Sequence, residues 1–134
     1  MSFVDTSAIV AILLGEPEAD LFADFLANDP VRITAPHVRL ESAMILARNL
    51  GLEVQVAEQL FDDFLTEAKV QIIPITDSIG REAVRAYSIF GKGRGHPAQL
   101  NFGDCLSYAC AAVHKLPILF KGGDFLHTDL SAAV

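Results

Sequence analysis

The sequence has 134 residues, of which 51% are hydrophobic and 20% charged, so a packed core is expected and intrinsic disorder is excluded. A chain of this length favours one domain, which we place over residues 1–134. The formal net charge of −7 excludes the strongly basic surface that usually accompanies nucleic-acid binding, and no apolar run approaches the ~18–20 residues of a membrane span.

Four short apolar runs predict buried strands, because each is short and rich in branched residues: Ser2–Val4, Val31–Thr34, Gln71–Ile75 and Pro117–Phe120. The helical patterns between and after them are Ala8–Leu14, Glu18–Ala27, His37–Leu50, Glu53–Lys69, Ser78–Phe90 and Phe102–Lys115. Strands that alternate with helices predict an α/β fold, with right-handed βαβ units around a parallel sheet.

The N-terminal stretch MSFVDTSA lacks the basic region of a signal peptide. Cys105 and Cys110 lie five residues apart in one predicted helix, a spacing that suits neither a disulfide nor a zinc site. Both cysteines are therefore expected to be reduced core residues. Together these features predict a cytoplasmic protein that does not enter a membrane.

Four acidic residues fall near the carboxyl ends of the predicted strands, where parallel sheets bind their ligands. Asp5 follows the first strand, Glu41 lies one turn into the helix after the second, and Asp124 follows the last strand. Asp104 lies in the first turn of the helix that leads into the last strand. We expect the four carboxylates to lie at or near one edge of the sheet.

Each acid also has a simpler interpretation, in which Asp5 and Asp124 serve turns or caps and the other two complement helix N-termini. However, Glu41 and Asp104 have no Lys or Arg three or four residues away. Carboxylates gathered without cations raise one another's pKa, and a divalent metal is the common resolution. Hard oxygen ligands favour Mg²⁺ or Mn²⁺ over Zn²⁺.

Four stretches, taken in order, resemble a PIN domain: DTSA at the N-terminus, Glu41 on an early helix, NFGDCLSYA, and FKGGDF followed by TDL. More specifically, they resemble the VapC-type ribonuclease toxins of type II toxin–antitoxin systems. The motifs span residues 4–130. The resemblance implies a Rossmann-like α/β/α sandwich with a mainly parallel sheet and a Mg²⁺- or Mn²⁺-dependent endoribonuclease. It also implies an RNA substrate, a homodimer within a higher toxin–antitoxin complex, and inhibition by a VapB-like antitoxin.

Carried over by motif, the resemblance assigns four acids to catalysis and metal binding: Asp5, Glu41, Asp104 and Asp124. The last of these occupies a position where the family varies more. Thr6 and Ser7 match the small hydroxyl positions after the first acid, where one of them would orient a ligand or water. Asn101 would support the site from behind the acids, although a plain helix cap explains it equally well.

The segment GKGRGHPAQ (91–99) is the one basic spot near the predicted site. Lys92 and Arg94 are therefore expected to contact RNA phosphates, with a solvated flexible loop as the alternative. Arg39 and Arg48 flank Glu41 and would contact substrate or neutralise the site when metal is absent, with structural ion pairing as the alternative. His37 is expected to be an ordinary polar residue.

The two predicted helices that follow the first strand carry more apolar residues than one buried stripe needs: Leu13, Leu14, Leu21, Phe22 and Phe25. The resemblance implies that these early helices form part of the groove that receives the antitoxin. A dimer face explains surplus apolar surface equally well.

Two other functions compete with ribonuclease activity. A haloacid-dehalogenase-like phosphatase would use Asp5 as its nucleophile, with Lys121 and Asp124 in support, but that family needs a second Asp at position 7, where this chain has Ser7. A PIN fold kept only as a binding module is the non-enzymatic alternative, and the presence of all four acids argues against it.

Overall fold

The computed structural model describes residues 1–134. It contains four strands: β1 (Ser2–Val4), β2 (Arg32–Thr34), β3 (Gln71–Ile72) and β4 (Ile118–Leu119). It also contains six helices: α1 (Thr6–Leu13), α2 (Ala19–Asn28), α3 (Pro36–Leu50), α4 (Val54–Ala68), α5 (Asp77–Phe90) and α6 (Phe102–His114). The predicted order of strands and helices is confirmed.

The four strands form one parallel sheet in the order β3-β2-β1-β4. Phe3 in β1 stands opposite Ile33 of β2 on one side and Ile118 of β4 on the other. The chain moves outward from β1 to β3 and then returns to place β4 on the opposite side of β1. The order therefore reverses between β1 and β4, and such a switch point opens a crevice beyond the carboxyl ends of these strands.

Local capping explains where the helices around this crevice begin and end. Asp5 and Asn101 cap the N-termini of α1 and α6 with their side chains. Pro36 starts α3, where its missing N–H is not needed, and Gly51 ends that helix in the left-handed conformation with a φ of 64°. The first turns of α1 and α6 are thereby fixed at the carboxyl edge of the sheet.

The helix boundaries differ from the sequence prediction by at most two residues; strand β1 has the predicted bounds, and the other three strands are shorter than predicted. Helix α1 begins at Thr6 and not Ala8, because the Asp5 side chain already satisfies the amide of Ser7. Strand β3 ends at Ile72 and not Ile75, because it pairs only with the two residues Ile33 and Thr34 of its single neighbour.

A single cluster of 29 buried apolar residues forms the core around the sheet. The stripe predicted on α4 is buried at Ala57, Phe61, Phe64 and Leu65. On α2 the expected surplus of exposed apolar surface is wrong for Phe22, which is 4% exposed because it packs into this core, whereas Leu21 is exposed. None of the six helices combines the length and apolar character that a membrane crossing requires.

Candidate metal and active site

Asp5 is buried at the end of β1 and binds the first turn of α1 through one oxygen only. Its Oδ2 accepts hydrogen bonds from the backbone N–H of Ser7 at 3.0 Å and from the Ser7 hydroxyl at 2.7 Å. The same hydroxyl accepts a bond from the backbone N–H of Lys121 at 2.9 Å. Ser7 thus links Asp5 to the segment that leads from β4 to Asp124.

Glu41 reaches from α3 toward the start of both α1 and α6. The hydroxyl of Thr6 donates a 2.7 Å hydrogen bond to Oε1 of Glu41. The other oxygen, Oε2, lies against the backbone of Gly103, where a Cβ atom would fall only 2.1 Å away. Only glycine at position 103 leaves room for the carboxylate in this place.

Asp104 forms a reciprocal capping box with Asn101 at the start of α6. The backbone N–H of Asn101 donates to Oδ2 of Asp104 at 3.1 Å, and the backbone N–H of Asp104 donates to Oδ1 of Asn101 at 2.9 Å. Both residues therefore cap the helix, as the simpler interpretation predicts. It accounts for one oxygen of the Asp104 carboxylate and leaves the other free.

The electrostatics bring all four acids into one neighbourhood. Burial, together with the charges of Asp124, Asp5 and Glu41, raises the pKa of Asp104 to about 7, although the hydrogen bond from Asn101 opposes the shift. Burial also raises the pKa of Glu41, with a smaller contribution from the charge of Asp5. No cation lowers either value, so the acids lack an internal counter-charge.

The nearest basic side chains do not supply that charge. His37 lies one turn before Glu41, and burial lowers its pKa to about 4, so it is neutral at physiological pH despite the opposing effect of Asp5. Lys121 turns away from the acids and pairs with Glu16 and Glu18, both at 2.9 Å.

Arg39 also points elsewhere, toward α4. It pairs with Glu58 at 3.0 Å and Asp62 at 2.8 Å, and its guanidinium lies 5.2 Å from the ring centre of Phe61. Of the roles considered for Arg39, the structure shows the structural ion pair.

The chemistry of the free oxygen atoms suits a hard divalent cation. Asp5, Glu41 and Asp104 each commit one oxygen to a hydroxyl or backbone N–H, and the second oxygen of each carries no hydrogen bond. Oxygen donors without a competing thiolate or cation fit Mg²⁺ or Mn²⁺. No three His, Cys, Asp or Glu side chains lie close enough together to coordinate one metal ion. The acids are therefore neighbours that do not meet at one point.

Three of the sequence-predicted site residues lie toward the margin of this cluster. Asp124 is exposed and acts on the pKa of Asp104 but not of Glu41. Lys92 and Arg94 are exposed on the loop before α6 and are not among the charges that shift the pKa of either acid. The structure therefore places these two cations outside the acidic cluster.

Sequence reasoning missed two residues that shape the site. Gly103 leaves the space that the Glu41 carboxylate occupies. The sequence did contain a signal for this, namely a glycine inside the first turn of a helix, directly before an acid. His37 joins α3 to α6 through a 2.8 Å hydrogen bond between its Nε2 and the hydroxyl of Ser107, while its Nδ1 is buried without a partner. No local pattern in the sequence indicates this long-range contact.

Comparison with known proteins gives a consistent picture over nearly the whole chain. Residues 2–130 match the family model described as PIN domain. Ribonuclease VapC28 of Mycobacterium tuberculosis is 46% identical over 134 residues, a match that covers 98% of this chain and 96% of the relative. A ribonuclease VapC of Mycolicibacterium smegmatis is 41% identical over 129 residues and covers 96% and 97% of the two chains.

Two solved structures share the fold. The Mycobacterium tuberculosis toxin VapC20, described as cleaving the sarcin–ricin loop, matches with a TM-score of 0.74 at 22% identity and covers 97% of this chain and 96% of that one. A chain from a toxin–antitoxin complex of Klebsiella pneumoniae matches with a TM-score of 0.70 at 18% identity and covers 96% and 93%.

Proposed function

The chain belongs to the PIN domain family, among the VapC ribonucleases, and we propose that it is the endoribonuclease toxin of a VapBC-type toxin–antitoxin pair. Its single domain, residues 1–134, hydrolyses phosphodiester bonds within RNA with the help of Mg²⁺ or Mn²⁺. Its membership of the family supports a site of action in the cytoplasm.

One observation supports this activity above the others. Asp5, Glu41 and Asp104 come from three separate elements, keep one free oxygen each, and meet no cation. Desolvated carboxylates that repel one another are costly unless a cation joins them. That arrangement is expected of a metal-dependent phosphodiesterase and has no purpose in a binding module.

The four acids, including Asp124, would hold the metal directly or through water. When bound, the ion would orient the attacking water and stabilise the charge that develops on the leaving oxygen. Thr6 and Ser7 keep the Glu41 and Asp5 carboxylates in place. Hydrolysis adds the oxygen of water to phosphorus and breaks the bond to the 3′ oxygen, which leaves a 5′-phosphate and a 3′-hydroxyl.

RNA binding by this acidic protein depends on local positive charge. Lys92 and Arg94 make no ion pair with any acid of the protein, and both precede α6 and its Asp104. These two side chains would hold backbone phosphates of the bound RNA. The bound metal would offset the repulsion between the phosphates and the acids.

The protein partners are a VapB-like antitoxin and a second copy of the chain within a higher complex. The antitoxin segment would lie on the groove between α2 and α4, a cavity of about 480 Å³ with a mainly apolar lining. The side chains that line the groove and belong to these two helices are Ala23, Leu26, Ala27, Phe64, Glu67 and Ala68. An apolar groove of this kind suits an amphipathic peptide.

Cleavage of RNA by single-carboxylate variants tests the assignment. Asp5→Asn and Asp104→Asn should each lower Mn²⁺-dependent cleavage by at least about 100-fold while circular dichroism shows an intact fold. Asp20→Asn is the matched control, because this acid is exposed on α2 and makes no ion pair, and it should cleave as wild type. Full metal-dependent activity in either site variant would refute the proposal.

A further inference from the structure

We propose that His37 and Ser107 are positioning residues for the metal site, because the hydrogen bond between them fixes how α3 lies against α6. The proposal rests on the metal-dependent ribonuclease function and deepens it by naming what holds two of the acids at their separation. Helix α3 carries Glu41 and helix α6 carries Asp104, so a movement between the two helices changes the spacing of these carboxylates.

The bond between His37 and Ser107 is the only hydrogen bond that joins side chains of α3 and α6. It spans 2.8 Å between Nε2 of the imidazole and the hydroxyl of Ser107, which is completely buried. No ion pair joins the two helices. Helix α3 packs mainly against α4 and helix α6 mainly against α5, so little else fixes α3 on α6.

The bond lies about one helical turn from the place where Glu41 meets α6. His37 precedes Glu41 by four residues on α3, and Ser107 follows Gly103 by four residues on α6. The two pairs therefore form neighbouring contacts of one interface. If α3 shifts far enough to break the first contact, the Glu41 carboxylate moves from its place against Gly103, beside Asp104.

The imidazole also lies against β1, the strand that ends at Asp5. The rings of His37 and Phe3 are nearly parallel, with planes 6° apart and centres 6.4 Å apart. Burial lowers the pKa of His37 to about 4, although the charge of Asp5 opposes the shift. His37 is therefore a neutral side chain that meets all three elements of the acids without a positive charge that would compete with a metal ion.

Packing alone does not account for an imidazole at position 37. The Nδ1 atom of His37 is buried without a partner, which is unfavourable, and a phenylalanine would stack on Phe3 without that cost. What the histidine adds is the bond to Ser107. Apolar contacts tolerate small sliding movements between helices, whereas a buried hydrogen bond is lost when its atoms move apart by less than about 1 Å.

Binding of Mn²⁺ without RNA, measured by isothermal titration calorimetry, tests the positioning role separately from catalysis. Ser107→Ala removes the bond, and His37→Phe removes it while keeping a ring on Phe3. Each change should weaken Mn²⁺ binding by roughly 10- to 100-fold. His37→Gln, whose side-chain amide can reach the Ser107 hydroxyl, should recover most of the affinity that His37→Phe loses.

Ser42→Ala is the matched control for Ser107→Ala. Ser42 is also completely buried and lies on α3 beside Glu41, but its hydroxyl has no hydrogen-bond partner. Removal of this hydroxyl should leave Mn²⁺ binding as in the wild type.

The double variant His37→Phe/Ser107→Ala separates positioning from stability. Each single change leaves a buried polar group unpaired and should lower Tm, whereas the double variant leaves none and should melt no more than about 3 °C below wild type. Its Mn²⁺ binding should nevertheless stay roughly 10- to 100-fold weaker, because no bond holds α3 on α6. A pair with a purely structural role predicts the opposite, namely that the affinity returns together with Tm.

Cleavage assays at saturating Mn²⁺ add a kinetic measurement. Ser107→Ala should lower kcat roughly 10-fold while KM for RNA stays within about threefold, since Lys92 and Arg94 are unchanged. Wild-type Mn²⁺ affinity in Ser107→Ala or in the double variant would overturn the positioning role. If the wild type binds Mn²⁺ and these variants bind it weakly, but none of them cuts RNA, the proposed function fails while the positioning role stands.

Discussion

The carboxylates of the site divide their two oxygen atoms between structure and function. Asp5 and Asp104 each use one oxygen to cap a helix, so interpreting them as ordinary capping residues and assigning them to a metal site do not conflict. These bonds fix one oxygen of each carboxylate and leave its second oxygen without a hydrogen bond. This double use explains why an acid with a raised pKa sits stably in the first turn of α6.

The raised pKa of Asp104 makes the stability of the metal-free protein depend on pH. Its pKa is about 7 in the folded protein and about 3.8 in the unfolded chain, so the folded state holds a proton that the unfolded state has lost between these values. Stability therefore falls as pH rises from about 4 to 7 and stays lower above 7. Asp104→Asn, which cannot ionise, should escape this loss.

Thermal unfolding in EDTA measures the difference directly. At pH 8, Asp104→Asn should melt roughly 3–6 °C above wild type, which corresponds to about 1 kcal/mol after allowing for solvent screening. At pH 3.5 the two proteins should melt together. With saturating Mn²⁺ at pH 8 the wild type should gain stability that the variant lacks. A variant that is less stable than wild type in EDTA at pH 8 would contradict the conclusion that the charged Asp104 carboxylate destabilises the metal-free protein.

At the residue scale, the sequence allowed the acids to be predicted better than their surroundings. Asp5, Glu41 and Asp104 could be selected as candidates because they follow predicted strands or begin helices and lack local cations. The neutral His37 and its bond to Ser107 could not, since the two residues are 70 positions apart and meet only in the folded chain. Burial has the largest effect on the pKa values of His37, Glu41 and Asp104, and it depends on the packing of the folded chain.

Helix α6 can bring Asp104 beside Glu41 only because its second residue has no side chain. In Gly103→Ala the new Cβ would fall 2.1 Å from Oε2 of Glu41 and force that flexible carboxylate aside. Metal affinity and RNA cleavage should fall by roughly 10- to 100-fold, because small displacements of catalytic groups are costly. Helix content should not fall, since Ala is the better helix former.

Gly80→Ala provides the control for this change. Gly80 lies inside α5, and a Cβ atom there would meet nothing within 4 Å. The substitution should leave cleavage unchanged and stabilise the protein by about 0.5–1 kcal/mol, measured by denaturant unfolding. If Gly103→Ala cleaves as well as Gly80→Ala, the close approach of Glu41 to α6 has no role in activity.

At the element scale, hydrophobic periodicity gave the type and order of every helix and strand correctly, whereas the ends depended on interactions between side chain and backbone. The start of α1 moved because Asp5 is its cap. The predicted end of β3 was wrong because a strand with one neighbour extends only as far as that neighbour pairs with it. Neither effect is contained in the apolar pattern of the segment itself.

At the scale of the whole molecule, sheet order and net charge determine where phosphate chemistry can occur. The order β3-β2-β1-β4 brings the ends of β1 and β4 together, so Asp5 and the segment that carries Asp124 become neighbours although they are far apart in the chain. A protein with a net charge of −7 cannot attract RNA by its overall field. The proposed function therefore requires that a metal ion at this crevice and the Lys92–Arg94 loop provide the attraction.

The sequence predicted, through the general rule for parallel sheets, that the four acids lie near one edge of the sheet; in the structure the charges of Asp124, Asp5 and Glu41 act on Asp104, but the acids do not meet at one point. The hydroxyl of Ser7, which joins the two strand ends, was expected only from the family motif. Its contact with the backbone of Lys121 depends on the register of β1 and β4, which a single sequence does not contain.

The central claim is that these acids bind a divalent metal, and anomalous diffraction from crystals soaked in Mn²⁺ tests it most directly. We predict a manganese peak in the crevice beyond β1 and β4, coordinated by the free oxygens of Asp5 and Asp104, with Glu41 or Asp124 bound directly or through water. Crystals of Asp104→Asn should show that peak weakened or lost. A fully occupied manganese ion elsewhere, with none among these carboxylates, would contradict the account.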